Sequence, residues 1–206
     1  MFNVAKNISK VIIPQLPDVE HFPNFLSEKE AQHYFETLKN STNFEAETYI
    51  FNNETITTKR KISYHSNLAY SYSNQVYSGK EWTPELLEIK EKIETHINHI
   101  FNAVLCNHYE NGEAGMGWHA DKEKELGKLP VIASLSLGQT RKFAFRHRKD
   151  VVNLKNPPRL VEYLLNSGDL LIMRGNTQDY FEHSIIKDKS ATGERINLTF
   201  RTIVDF

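Results

Sequence analysis

Hydrophobic spacing along the chain changes character near residue 103. Ahead of that point two stretches repeat every three to four residues, and beyond it apolar and polar positions mostly alternate. Ala31, Tyr34, Phe35 and Leu38 recur at helical spacing behind Ser27 and Glu30, which form a capping box, so a helix is predicted over 28–39. A second helix starts at Thr83, with Pro84 in its first turn, and carries Leu86, Ile89, Ile93, Ile97 and Ile100 to about Phe101. Between the helices, Phe44–Phe51 and Thr55–Tyr64 are rich in β-branched and aromatic residues and flank Asn52 and Asn53, the pattern of a hairpin. Alternation then puts Tyr70 and Tyr72 on one face of a short strand. Residues 1–24, with Pro14, Pro17 and Pro23 and little periodicity, read as an extended lead-in.

From Ala103 the period is two, with Leu105, Asn107 and Tyr109 sharing a face. A loop from Glu110 to Gly117 holds three glycines and leads into Trp118, His119 and Asp121. Further strands are predicted at Val131–Leu137, Thr140–Phe145, Arg159–Leu165, Asp169–Met173, Tyr180–Ile185 and Glu194–Val204, joined by short connections. The stretch Lys149–Pro158 reads as a surface loop. The expectation is one domain over 1–206 of class α+β, mainly β, in which two helices cover one sheet.

Composition adds little to this picture and removes some alternatives. The 206 residues are 39% hydrophobic and 25% charged, ordinary for a globular domain. The single Cys106 excludes an internal disulfide and a thiolate zinc site, and reads as a small core residue in a reducing compartment. No long apolar run or leader is visible, so the expected protein is a monomer of the cytoplasm or nucleus, neither secreted nor a membrane partner. A net charge of −1 gives no general signature of nucleic-acid binding, yet cations cluster. Lys59, Arg60 and Lys61, and the series Arg141, Lys142, Arg146, His147, Arg148 and Lys149, offer a local positive face.

His119 and Asp121 flank one residue, so an extended backbone sends both side chains from the same face toward a shared ion. In the last strand Ile196, Leu198 and Phe200 alternate with Arg195, Asn197, Thr199 and Arg201. Two guanidiniums on an inward polar face require anionic partners, because a buried unpaired charge is costly. A dicarboxylate bound at the metal meets that requirement.

These residues carry a resemblance. His119 and Asp121, then His183, then Arg195 resemble the iron- and 2-oxoglutarate-dependent dioxygenases. Asn107 with Tyr109, Phe143 through His147, and Arg195 through Arg201 look like the AlkB nucleic-acid demethylases among them, over about residues 45–203. The resemblance implies a double-stranded β-helix, or jelly roll, with a catalytic core at 103–204 and a nucleotide-recognition hairpin and pocket segment at 44–72. It implies Fe(II) on His119, Asp121 and His183, and 2-oxoglutarate and O2 as co-substrates, with Asn107, Tyr109, Arg195, Asn197 and Arg201 around the oxoglutarate. Arg195 is expected at its C5 carboxylate and Arg201 at the C1 end. Alkylated DNA or RNA is the implied partner, with Tyr70, Tyr72, Trp118 and Glu123 about the base and Arg60 and Arg141 among the further substrate contacts. Phe51, beside the hairpin turn, is a candidate wedge between base steps. The implied reaction is oxidative removal of N-alkyl groups from nucleobases. The rival readings are an oxygenase of the same cofactors acting on a protein or small molecule, and a non-catalytic nucleic-acid-binding module.

Overall fold

The computed structural model describes residues 14–51, 53–68, 70–72, 75–150 and 160–204, without the side chains of 51, 70–72 and 75–77. The first helix, α1 (Glu28–Ser41), begins as its sequence dictates. Glu30 donates its backbone N–H to the Ser27 hydroxyl at 3.3 Å, and the Glu30 carboxylate accepts the Ser27 N–H at 3.0 Å. The second, α2 (Pro84–Ile97), is capped by the Thr83 hydroxyl, and Asn98 ends it in the left-handed conformation, φ 53°. The helix therefore stops short of the predicted Phe101, and the apolar series continues through a turn that exposes Ile100 and buries Phe101.

Among the described residues thirteen strands follow or surround these helices: β1 (Val19–Phe22), β2 (Glu45–Phe51), β3 (Glu54–Ser66), β4 (Tyr70–Tyr72), β5 (Gln75–Tyr77), β6 (Ala103–Tyr109), β7 (Met116–His119), β8 (Ile132–Gly138), β9 (Arg141–His147), β10 (Val161–Leu165), β11 (Leu170–Met173), β12 (Phe181–Ile185) and β13 (Arg195–Arg201). A one-turn helix, α3 (Thr177–Tyr180), precedes β12. The major sheet runs β1-β11-β8-β13-β6-β3-β2, the minor sheet β10-β9-β12-β7, and β4 and β5 pair separately. This is the jelly-roll architecture.

Both predicted helices lie on the outer face of the major sheet. Leu38, Leu86, Ile89 and Ile93 are buried there against Val104, Cys106, Leu135, Leu198 and Phe200. Each fully buried side chain of that kind contributes about 1.5–3 kcal/mol over exposure, so burial rather than propensity fixes the helices. On the other face Tyr109, Ile132, Leu171 and Met173 meet Phe143, Phe145 and Phe181 of the minor sheet. One part of the lead-in differs from expectation. Val19–Phe22 is an edge strand antiparallel to β11, because its backbone completes a sheet edge that sequence periodicity cannot announce. Lys149 and Asp150 of the expected surface loop are exposed, while 151–159 lie outside the described residues.

Candidate active site

The antiparallel register of β12 on β7 sets His183 directly opposite His119. Asp121 follows just beyond the end of β7, and ligand atoms of the three residues lie within 4.8 Å of one another. His119 Nε2 is 3.6 Å and His183 Nε2 3.9 Å from the same carboxylate oxygen, Asp121 Oδ1. His119 Nδ1 lies 2.8 Å from the Gly117 carbonyl, which can only accept, so Nδ1 carries the proton and Nε2 presents its lone pair. His183 is buried with its ring stacked on Phe143 at 5.3 Å and touching Phe145. Burial, reinforced by His119, pushes its imidazole down to about 3, which keeps it neutral and fit to ligate a metal.

Asp121 is almost wholly buried. Its Oδ2 accepts from Arg201 Nε at 3.1 Å and Nη2 at 2.6 Å, and its backbone N–H donates to Gln178 Oε1 at 3.0 Å. Burial alone would raise the carboxyl, but the Arg201 guanidinium, with His183 and His119, holds it well below the usual carboxylate range. Oδ1 is buried without a hydrogen-bond partner. One orphaned anionic oxygen and two imidazole nitrogens converging on one point fit the facial set that holds Fe(II) with three positions open.

Arg195 is buried on β13, six residues before Arg201. The side chain is 1% exposed, Nη2 donates to Ser136 Oγ at 3.0 Å, and Nε and Nη1 have no partner. Its guanidinium lies over the Tyr109 ring at 5.4 Å. Burial brings its pKa down to about 10, so it remains a cation, without a carboxylate on it among the described residues. A buried guanidinium with two unbonded nitrogens and no anion beside it among the described residues fits a carboxylate ligand.

Several other expectations change. Asn197 gives its amide N–H groups to Ser134 Oγ and the Leu135 carbonyl and accepts from Thr199, which anchors it within the sheet. Arg201, expected at the C1 end of oxoglutarate, clamps Asp121. Asn107 accepts from Arg60 at 2.8 Å and uses one N–H on the Leu105 carbonyl, which leaves the second N–H for a ligand. Arg60, read as a phosphate contact, is buried in an ion pair with Glu47 as well as this bond to Asn107. Arg141, read as a substrate contact, is 1% exposed and donates to the carbonyls of Asn111, Gly112, Ala114 and Ile186. It holds the Glu110–Gly117 loop from inside. At Gly112 of that loop a Cβ would stand 1.6 Å from the Asp188 carbonyl oxygen, which explains one of its glycines.

The predicted positive face is also redrawn. Lys59 pairs with Glu113, Lys61 with Glu110, Lys142 with Glu162, Arg146 with Glu182 and Arg148 with Asp150. Charge is thus interleaved, matching the near-zero total. Among the substrate candidates, Trp118 is half-buried with the Arg146 guanidinium 4.3 Å from its ring centre, covering one face. Glu123 is half-buried in the turn after Asp121. Tyr70 and Tyr72 lie on β4 and Phe51 ends β2, but their side chains are outside the described part. A groove of about 1000 Å³ runs between the hairpin and Glu113–Gly117, with Thr48, Ile50, Ile56 and Arg60 on one wall and Lys187 at its border.

Sequence reasoning missed Gln178, Ser134 and Ser136. The two serines alternate with Ala133, Leu135 and Leu137 on β8, a legible signal of a polar inner face; Gln178 on one-turn α3 left none.

Comparison with known proteins agrees with this geometry. Alpha-ketoglutarate-dependent dioxygenase alkB homolog 3 of Bos taurus is 37% identical over 192 residues, covering 88% of this chain and 64% of that protein. The Homo sapiens protein of the same name is 35% identical over 193 residues, 88% of this chain and 65% of that one. The chain therefore spans just under two thirds of the length of these relatives. DNA oxidative demethylase ALKBH2 of Homo sapiens is 37% identical over 142 residues, 68% of this chain and 54% of that protein. In fold, the solved structure of OsALKBH1 superposes with a TM-score of 0.63 over 91% of this chain and 97% of that chain, at 18% identity. A family model described as 2OG-Fe(II) oxygenase superfamily matches residues 18–201, and the chain, similar to AlkB homologues, belongs to that family.

Proposed function

We propose that this protein is an Fe(II)- and 2-oxoglutarate-dependent dioxygenase that demethylates N-alkylated nucleobases in DNA or RNA. One observation carries the co-substrate reading: Arg195, buried with Nε and Nη1 unbonded among the described residues, lies on β13, the strand whose Arg201 clamps Asp121 of the triad. His119, Asp121 and His183 would hold the iron. Arg195 would bind the far carboxylate of oxoglutarate, and the remaining N–H of Asn107 and the Tyr109 side chain line its path. When bound, iron and oxoglutarate supply the oxidising power that hydroxylates an N-methyl carbon, with O2 consumed and succinate, CO2 and finally formaldehyde released.

The chain's residues supply orientation and electrostatics. Arg201 holds Asp121 ionised and turns one oxygen toward the histidines. The Nδ1 bond of His119 fixes its tautomer. Trp118, backed by Arg146, offers one aromatic face to a base taken out of its stack. The name of one relative, DNA oxidative demethylase ALKBH2, supports nucleic acid as the substrate. The test is formaldehyde release from methyladenine- and methylcytosine-bearing oligonucleotides with Fe(II) and 2-oxoglutarate. Succinate formation with no formaldehyde from any of them would move the substrate to another class, and absence of both would end the reading.

A further inference from the structure

Arg60 is a buried cation with one arm on each side of the protein's two ligand regions. Its Nη2 pairs with Glu47 on β2, the edge strand of the hairpin, and its Nη1 donates at 2.8 Å to Asn107 Oδ1 on β6. Register explains the reach: Ile62 of β3 lies opposite Asn107, and Arg60 opposite Tyr109. Alternation along β3 points Arg60 to the same inner face as Ile62 and Tyr64. Arg60 also lines the groove between the hairpin and the loop ahead of the metal strand. A guanidinium has only donors, so the Asn107 atom facing it must be the oxygen. The amide N–H groups then point the other way, one to the Leu105 carbonyl and the second unspent.

We propose that Arg60 is a positioning residue that locks the amide of Asn107, so that an N–H and not the carbonyl oxygen faces the 2-oxoglutarate carboxylates. This rests on the reading of Asn107 as a co-substrate contact. The Glu47 carboxylate holds the guanidinium from the hairpin side, so the substrate-facing hairpin and the co-substrate pocket share one side chain. Lysine at position 60 would keep the charge for Glu47, but one ammonium lacks the planar fork that spans both partners. Without that restraint the amide can turn its oxygen toward an incoming carboxylate and repel it.

The test is calorimetric titration of 2-oxoglutarate into the Mn(II)-loaded full chain, which reports binding without turnover. Arg60→Lys is expected to raise the dissociation constant at least about tenfold, the scale of a charge-assisted hydrogen bond. Asn107→Ala should do the same, and the double variant should bind no more weakly than Asn107→Ala alone. If Arg60→Lys does not fold, Glu47→Gln, which loosens the guanidinium and keeps its volume, should show a smaller rise that vanishes in the Asn107→Ala background. Unchanged affinity in the single variants, or effects that multiply in the double, would overturn the proposal. A native chain that binds Mn(II) but no 2-oxoglutarate would instead remove the co-substrate reading beneath it.

Discussion

Arg201 grips Asp121 by a single oxygen: Nε at 3.1 Å and Nη2 at 2.6 Å both reach Oδ2, and Oδ1 is left to the two histidines. The guanidinium thereby decides which half of the carboxylate is presented to a metal. Arg201→Lys should weaken Mn(II) or Fe(II) binding about 10–100-fold, the usual loss when the partner of a metal ligand is removed. Metal titration checks it, and unaltered affinity would make the clamp incidental.

Arg195 presents the opposite balance. A buried cation without an anionic partner destabilises the ligand-free fold, and an apolar replacement of similar length relieves that cost. Arg195→Met is therefore expected to raise the melting temperature of the ligand-free protein and to abolish 2-oxoglutarate binding. A variant that melts lower and still binds would show that the charge serves the fold instead.

The metal-free protein should lose stability as pH falls below 6.5. His183 is pushed down to about 3 in the folded state against an ordinary 6.5, so between those values the unfolded chain binds the extra proton. The sign follows: protonation favours unfolding, with a slope of up to about 1.4 kcal/mol per pH unit for one such group. His119, also lowered by burial, acts in the same direction. Urea midpoints measured from pH 7.5 to 4.5 should fall more gently for His183→Gln, whose amide does not titrate.

Glu30 acts in the same direction over a lower window. Its hydrogen bonds to Ser27, with Lys92 nearby, hold it at about 2 against an ordinary 4.5, so its contribution is complete above 4.5 and lost as pH falls toward 2. Ser27→Ala should cost about 1 kcal/mol at neutral pH, and the difference from the native chain should shrink at pH 3.

Trp118→Ala should weaken binding of a methylated single strand by about 1–3 kcal/mol, the worth of one base stacked on an aromatic ring, and leave 2-oxoglutarate affinity unchanged. Oligonucleotide anisotropy with Mn(II)-loaded protein measures it; equal binding would remove Trp118 from the substrate wall.

The residues legible in the sequence are those whose signal is local or whose chemistry is rare. Ser27 and Glu30 fix the start of α1 three residues apart, and a histidine and an aspartate two apart mark the metal site. Arg60 and Arg141 misled because a charged side chain is exposed by default. Their burial depends on partners that tertiary register alone supplies: Glu47 and Asn107 for Arg60, four carbonyls for Arg141. Gln178 was silent for the same reason, since its bond to the Asp121 backbone joins a one-turn helix to a distant loop. Asn197 was placed on the correct face, yet the hydroxyl of Ser134 across the sheet takes up one of the N–H groups that alternation assigned to the pocket.

The strand that carries His119 lies at the rim of the minor sheet, where β12 is its sole partner among the described residues, and the pairing shifts register between His183 and Ile185. Amide protons there should exchange early, as at most sheet margins. An ion shared by His119, Asp121 and His183 would tack that margin down, and Trp118 is the adjoining residue on it. Hydrogen exchange along Met116–His119 should therefore slow on Mn(II) addition, and chelation should loosen the surface that meets the base together with the centre that oxidises it.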